Sequence, residues 1–205
     1  TIDDVVDIIR EQAEHQALGA AGLDEDEDLF SPVRRAVRGR VVWLGINLFT
    51  AFLAASVIGQ FDATMEKIIA LAVLMPIVAG IGGNAAVQVL TLMVRGLALG
   101  QVGPSNARIL LWKEFRVALI NGLLIGGVVG VIAFLWFGNP LLSLVIALAL
   151  VLNFCAAAIA GVLLPLLLKR MNIDPAVAGT VVVTAVTDVM GFFCFLGLAT
   201  LILLH

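Results

Sequence analysis

The sequence is poor in charged residues, which make up 13% of its 205 residues, whereas 61% are apolar. Soluble globular domains carry about a quarter charged residues, so the composition excludes an ordinary soluble enzyme or binding module. Uncharged runs recur along the chain, and about 20 helical residues suffice to cross the roughly 30 Å hydrocarbon layer of a bilayer. The composition is that of an integral membrane protein.

Cysteine is also scarce, because the chain holds only Cys155 and Cys194, both within apolar runs. A disulfide framework and a Cys/His metal finger are therefore excluded. A signal peptide is not recognisable either, since the first 28 residues are polar and acidic rather than basic and then apolar. As the chain starts at Thr1 and not at methionine, we expect it to begin inside a longer protein.

Basic residues are nearly absent from the N-terminal segment, where residues 1–28 hold ten carboxylates against Arg10 alone. This excludes binding of nucleic acid or anionic lipid at that end, because both need basic side chains near phosphate. The segment could attract cations, or it could be a solvated face and flexible linker. Residues 2–18 have the apolar spacing of an amphipathic helix, and residues 18–29 have no period and resemble a linker.

We predict five membrane-spanning helices, each bounded by charged residues or by glycine and proline. Ser31 and Pro32 offer an N-cap followed by proline at the first helical position, so the first helix should start there. The spans are predicted at 41–59, 68–94, 117–137, 141–168 and 176–204. The fold class is an all-α polytopic membrane protein with five transmembrane helices per subunit, preceded by a cytoplasmic amphipathic helix. The chain divides into two domains, an acidic segment with the amphipathic helix and a linker at 1–31 and a transmembrane domain at 32–205.

Lysine and arginine outside the N-terminal segment are concentrated on one side of the predicted topology. Ten of them flank the first span or lie in the loops after the second and fourth spans, and the alternate loops hold only Lys67. Short loops rich in Lys and Arg stay in the cytoplasm. We therefore expect a protein of the cell (inner) membrane with its N-terminus cytoplasmic and its C-terminus outside.

The second span contains Pro76, and the glycines Gly80, Gly82 and Gly83 follow it. Proline removes a helical hydrogen bond and glycine eases bending, so we predict a kink or local unwinding near mid-membrane. The irregular backbone could line a water-filled cavity or could be a packing kink against a neighbouring helix. For Pro165 in the fourth span, a packing kink is the favoured interpretation.

Asp188 is the single ionisable residue that the predicted spans place deep in the membrane, and no Lys, Arg or His lies at a similar depth. A carboxylate near a bilayer centre costs at least ~2.5 kcal/mol, so it needs a partner, water or an ion. It is therefore either protonated and hydrogen-bonded or a ligand of a cation in transit. Thr180 and Thr184 share its helix face at intervals of four residues.

A second polar stripe, made of Asn84, Gln88 and Thr91, follows the glycines of the second span. These side chains could line a path or could serve as interhelical glue. For Asn47, Asn121 and Asn153, glue is the favoured interpretation. All the candidate ligands are oxygen atoms, which suit hard cations such as Mg²⁺, Ca²⁺ or Mn²⁺ rather than Zn²⁺ or Cu⁺. No catalytic residues are predicted, because one chain offers neither a carboxylate pair nor a base at depth.

From about residue 32 to the end, the sequence resembles the membrane domain of MgtE-type magnesium channels. The resemblance rests on five segments, namely GGNAAVQ at 82–88, VRGLALG at 94–100, TAVTDVMG at 184–191, DPA at 174–176 and NLFTAFLAA at 47–55. It implies a homodimer in the lipid bilayer with an ion path along the two-fold axis. By the same resemblance, residues 1–9 are the end of a CBS domain and the helix after them is a connecting helix that gates the pore in response to cytoplasmic Mg²⁺.

The resemblance also implies roles for individual residues. Asp188 of both subunits would hold a largely hydrated Mg²⁺, with the carbonyl near Thr184 contributing, and Asp174 would be a carboxylate on the cytoplasmic side. The backbone around Gly80 and Gly83, with Asn84 and Gln88, would line the cytoplasmic half of the path. A secondary transporter that exchanges Mg²⁺ against Na⁺ or H⁺ is the alternative function, because Asp188 could equally serve as a proton-linked site.

Overall fold

The computed structural model describes residues 18, 30, 32–103 and 105–204, and its regular elements are all helical in those ranges. They are α1 Val33–Gly59, α2 Asp62–Lys67, α3 Ala70–Ala98, α4 Ala107–Phe137, α5 Pro140–Arg170 and α6 Pro175–Leu203. All except α2 are long and apolar enough to cross a membrane. The prediction of an all-α protein with five transmembrane helices is confirmed. The regulatory segment and amphipathic helix predicted within 1–31 lie outside the described residues, apart from Leu18 and Phe30.

Local sequence signals set the ends of the long helices. The Asn139 side chain caps α5 by accepting hydrogen bonds from the Leu141 and Leu142 amides at 3.0 and 3.1 Å, and Pro140 occupies the first turn. Because proline lacks an N–H, it fits the first turn of a helix, where that donor has no helical partner. Gly138, with φ +64°, ends α4 in a left-handed conformation that suits glycine.

Helix α4 starts ten residues earlier than its predicted span. The prediction places Arg108, Lys113 and Arg116 in a loop, but they lie in the first turns of α4, and the connection from α3 covers only 99–106. The predicted span starts only after the last charged residue. A long basic side chain, however, can lie along a helix with its aliphatic part and still place its charge at the membrane–water interface. The end of α3 with Arg95, the start of α4 with Arg108 and the end of α5 with Arg170 nonetheless lie at one end of the bundle, which we call the basic end.

Two further boundaries differ from the prediction. Helix α1 starts at Val33 with Pro32 in the capping position, one residue later than expected, and Ser31 lies outside the described residues. The stretch predicted as a loop at 60–67 contains the short helix α2. Its Thr64 is buried, and the Thr64 and Thr200 hydroxyls are hydrogen-bonded at 2.8 Å, which fastens α2 to the end of α6. A helix of six residues is too short to give a periodic apolar pattern.

Helix α3 is continuous from Ala70 to Ala98, so of the two outcomes predicted for it the local unwinding is not observed, and the kink stays a prediction. Pro76 lies in the second turn, so the helical bond it removes is near the start of α3. Gly82 and Gly83 are buried against neighbouring helices, which hold this part of α3 in helical form. Helix α5 is likewise continuous through Pro165, which is buried, in agreement with a packing role.

Helix α5 lies at the centre of the bundle and packs against α3, α4 and α6. Helix α3 also packs against α6, while α1 packs chiefly against α6 and is otherwise exposed. The largest fully buried side chains include Leu71, Leu74, Val78, Val145, Ile146, Leu150, Phe195 and Leu196. Helices α3 and α6 are thus neighbours, and each has a face that does not pack into this core.

The glycines of the segment 94–100 shape the end of α3. Gly100 is left-handed, with φ +66°, and the Gly96 carbonyl accepts hydrogen bonds from the Gln101 and Val102 amides at 2.9 and 3.1 Å. A β-carbon on Gly96 would lie 2.6 Å from Val102 Cγ2, so the returning chain needs glycine there. The segment 94–100, one of the segments on which the family resemblance rests, therefore ends helix α3.

Candidate cation path on α3 and α6

The polar stripe of α3 lies on the face turned away from the bundle core. Gly80, Asn84, Gln88 and Thr91 are exposed, whereas Gly82, a member of the opposite face, is buried. In a bilayer, exposed amide side chains at this depth would face hydrocarbon that offers them no hydrogen bonds. The stripe therefore needs water, an ion or another protein surface beside it.

Three contacts fix the register of α3 against α6. Each pairs a glycine with a side chain of the other helix, and the distance is that from a β-carbon placed on the glycine to the nearest atom of that side chain. The pairs are Gly191 with Val78 (3.1 Å), Gly83 with Thr184 (3.5 Å) and Gly179 with Leu90 (2.8 Å). As the residue number rises along α3, the residue number of its contact on α6 falls by a similar amount. The two helices are thus antiparallel, with little slippage over three turns.

This register sets the two predicted stripes side by side. Asp188 falls at the depth of Gly80, midway between the two contacts at Val78 and Gly83, and Thr184 falls at the depth of Asn84. One turn closer to the basic end, Thr180 falls at the depth of Gln88. The two stripes, which were predicted independently, therefore lie at matching depths on neighbouring helices, and we call them together the band.

Asp188 is half-buried on the band. Within residues 32–103 and 105–204, the structure gives its carboxylate neither an ion pair nor a hydrogen bond. A protonated aspartic acid would need an acceptor for its proton, and an ionised one would need a cation. The described chain supplies neither an ion pair nor a hydrogen bond, and the choice between the protonated form and the cation ligand stays a prediction.

Two of the three threonines of the band turn their hydroxyl protons inward to the helix backbone. Thr184 Oγ1 donates to the Thr180 carbonyl at 2.7 Å, and Thr91 Oγ1 donates to the Val87 carbonyl at 2.8 Å. A hydroxyl that donates in this way keeps its lone pairs for another partner. These oxygen atoms can therefore act as acceptors toward a cation or its water shell.

The two glycines predicted as wall residues occupy different positions. Gly80 lies on the exposed face at the depth of Asp188, whereas Gly83 is buried against Thr184. Because α3 is helical throughout, the carbonyls of both glycines belong to its hydrogen-bond ladder. Gly83 brings α3 close to α6, and carbonyl ligation at either glycine stays a prediction.

Asp174 has a structural role at the basic end. Its Oδ1 accepts a hydrogen bond from the Ala176 amide at 2.8 Å and caps α6, and Pro175 occupies the first turn. The residue lies two turns beyond Thr180 along the same helix. Its role as a cytoplasmic-side metal ligand stays a prediction.

Among the three asparagines predicted to be glue, the structure confirms one. Asn153 on α5 donates from Nδ2 to the Val78 carbonyl of α3 at 3.0 Å. Asn47 and Asn121 are exposed, and neither side chain bonds to another described helix. Glue between helices of one chain is therefore established only for Asn153.

Glu114 is a buried carboxylate that the sequence analysis missed, because the prediction places it in a loop. It lies on the face of α4 that packs against α5, and its Oε1 accepts a hydrogen bond from Lys113 Nζ at 2.8 Å. The signal was available, since Ala118, Gly122 and Gly126 continue the same face at intervals of four residues. Small residues at that spacing indicate a helix contact.

In the described ranges, no three His, Cys, Asp or Glu side chains lie close enough together to hold a metal ion. A site on the band would therefore offer one carboxylate per chain together with neutral oxygen atoms. That donor set suits a cation that keeps most of its water.

A sequence model of the family described as "MgtE: Divalent cation transporter" matches residues 75–198, which include the whole band. Three curated relatives, each named "Magnesium transporter MgtE", were also found. The chain is 33% identical to that of Thermus thermophilus over 207 residues, covering 99% of this chain and 45% of the relative.

The corresponding protein of Bacillus subtilis is 29% identical over 202 residues, and that of Enterococcus faecalis is 30% identical over 201 residues. Both alignments cover 98% of this chain and 44% of the relative. The chain thus spans less than half the length of these relatives. It is a multi-pass membrane protein of a transporter family and not an enzyme. The match over most of the spanning helices shows that the chain belongs to the MgtE family of divalent cation transporters.

Proposed function

We propose that this chain and a second copy of it form a channel-like path for Mg²⁺ across the cell membrane, lined by the bands of both copies. The observation that carries the proposal is Asp188, a half-buried carboxylate without a described partner, at the depth of the exposed polar stripe of α3. A second copy related by a two-fold axis would cover each band with the other. The exposed amides would then face a polar interior instead of lipid.

The ligand chemistry supports Mg²⁺ as the transported ion. The band offers carboxylate, hydroxyl and amide oxygen atoms, and Mg²⁺ is typically held by one or two carboxylates while it keeps several waters. Two copies of Asp188 would supply two negative charges to a divalent ion. The curated relatives are named magnesium transporters, which agrees with this choice.

The membrane potential supplies enough driving force for uptake without an energy-coupling domain. Moving one elementary charge across 100 mV is worth ~2.3 kcal/mol, so a divalent cation gains about 4.6 kcal/mol. We propose that the basic end faces the cytoplasm, because Lys and Arg are retained there. The acidic segment 1–31 would then lie on the cytoplasmic side, where we propose that Mg²⁺ binding to its carboxylates regulates the path.

The arrangement of the two copies can be tested by cross-linking. In a variant with Cys155 and Cys194 replaced by serine, Thr91→Cys is expected to give a disulfide-linked dimer upon mild oxidation in membranes. Residues near a two-fold axis face their own counterparts, and Thr91 is exposed on the band. Leu124→Cys, on the exposed face of α4, is the matched control and is expected to stay monomeric on a denaturing gel. Cross-linking through Leu124→Cys but not Thr91→Cys would place the second copy on another face.

The mechanism can be tested by flux into liposomes that contain the purified protein and a Mg²⁺ indicator. A channel-like path predicts that an inside-negative potassium diffusion potential drives Mg²⁺ uptake with equal Na⁺ concentration and equal pH on both sides. Uptake should rise with the applied potential, because the driving force is about 4.6 kcal/mol per 100 mV. If uptake instead requires an opposing Na⁺ or H⁺ gradient, the protein is an exchanger and the channel proposal is wrong.

A further inference from the structure

Asn153 is a fully buried polar residue near the middle of α5, the central helix. Its Nδ2 donates to the Val78 carbonyl of α3 at 3.0 Å. Its Oδ1 is buried and has no hydrogen-bond partner among the described residues. A buried acceptor without a partner destabilises a fold and offsets the bond to Val78, so the net contribution of the asparagine to stability is small.

The Asn153 amide lies between glycines of the two helices that carry the band. A β-carbon on Gly191 of α6 would lie 2.7 Å from Nδ2 and 3.1 Å from Val78 Cγ1, and a β-carbon on Gly82 of α3 would clash with Nδ2. Neither glycine has a side chain to set the helix spacing. The amide itself therefore occupies the place where α3, α5 and α6 meet.

This junction lies at the depth of the Asp188 carboxylate, on the core side of the band. Gly191 follows Asp188 by one helical turn, and Val78 precedes Gly80, the α3 residue at the depth of Asp188, by two positions. A small rotation or separation of α3 and α6 at the junction would move Asp188 relative to Asn84. Metal sites with few ligands are sensitive to such shifts, since groups that orient ligands affect affinity strongly.

We propose that Asn153 is a positioning residue for the cation path, and this rests on the proposed function. Its amide holds α3 through the Val78 carbonyl and supports α6 at Gly191, which fixes the distance between the polar residues of the two helices. The consequence is control over the affinity and selectivity of the path rather than over the stability of the fold.

Asn153→Leu tests this role, because leucine has a similar shape and removes both the donor and the unpartnered acceptor. The Val78 carbonyl keeps its place in the continuous helix α3. We expect a thermal unfolding midpoint at or above that of the wild type in detergent. In liposomes, the Mg²⁺ concentration for half-maximal flux should rise about tenfold, with a changed ratio of Mg²⁺ to Ca²⁺ flux. Asn121→Leu, at an exposed position of α4, is the matched control and should behave as wild type.

A second pair of variants tests the junction without altering Asn153. Gly191→Ala places a methyl group against the amide and should raise the half-maximal Mg²⁺ concentration in the same direction as Asn153→Leu. Gly197→Ala, on the same helix, meets no atom closer than Phe61 Cζ at 4.0 Å and should leave flux unchanged. The pair therefore gives an answer even if Asn153→Leu fails to fold.

The outcomes separate this proposal from the proposed function. If Asn153→Leu and Gly191→Ala both keep the wild-type half-maximal concentration and selectivity, the positioning role is overturned. It is also overturned if maximal flux and thermal stability fall together while affinity and selectivity stay unchanged, since that indicates a structural role only. Wild-type flux in Asp188→Asn would refute the path itself, whatever the variants at the junction do.

Discussion

Replacing Asp188 by asparagine is expected to abolish Mg²⁺ uptake, with a loss of about 100-fold or more in flux at low Mg²⁺ concentration. Loss of a group that only orients a metal ligand typically costs 10- to 100-fold in affinity, so removal of the charged ligand itself should reach at least the upper end. In a two-fold assembly, the substitution removes two negative charges from one site. Asparagine keeps the size and one oxygen atom, so the loss would report on charge rather than on packing.

Liposome flux is the measurement, at equal protein incorporation and with the unfolding temperature of each variant recorded. Glu66→Gln is a matched control, since it converts an exposed carboxylate on α2 to its amide outside the spanning helices. Its flux should stay close to that of the wild type. The same Mg²⁺ dependence in Asp188→Asn and wild type would mean that the Asp188 carboxylate does not bind the ion.

Asp188 also illustrates how far the sequence predicts the site. A carboxylate in an apolar run indicates a function, because its burial is costly, and hydroxyl and amide residues at helical spacing indicate which face it shares. Neither pattern predicts how α3 and α6 are aligned along each other. It depends on the contacts of Gly83 and Gly179 with the opposite helix, which set the two stripes at the same depth.

The asparagines show the limit of the sequence pattern more sharply. Asn121 and Asn153 both interrupt apolar runs, yet Asn121 is exposed and Asn153 is buried between three helices. Neither of the helices that carry them, α4 and α5, has a strong apolar face of its own, because both are apolar all round. In a membrane, lipid-facing and protein-facing surfaces are both apolar, so hydrophobic periodicity does not distinguish them.

The number of spanning helices, in contrast, could be predicted from the sequence. Apolar runs of spanning length are distinct whether a helix faces lipid or protein, and each of the five predicted spans corresponds to one long helix. The ends of the helices were harder to predict. Helix α4 includes Arg108 and Lys113, whereas the charge pattern alone would start this helix after them. The local unwinding predicted near Pro76 is not observed, and two of the glycines that follow it, Gly82 and Gly83, are buried against neighbouring helices.

Small residues mark the contact between α4 and α5, the central helix of the bundle. A β-carbon on Gly122 would lie 3.0 Å from Val151 Cα, and one on Gly126 would lie 2.8 Å from the Ala147 carbonyl oxygen. Gly127, the next residue, is exposed and has no atom within 4 Å of such a carbon. The two adjacent glycines therefore offer the same substitution with opposite surroundings.

Gly126→Ala is expected to lower the free energy of unfolding by about 1–3 kcal/mol, because the methyl group meets backbone that has no freedom to move aside. Gly127→Ala should leave the free energy unchanged or raise it by up to about 1 kcal/mol, since alanine is the better helix former and space is open. Titration with SDS in mixed micelles would measure both. Equal effects of the two substitutions would show that α4 does not pack against α5 through Gly126.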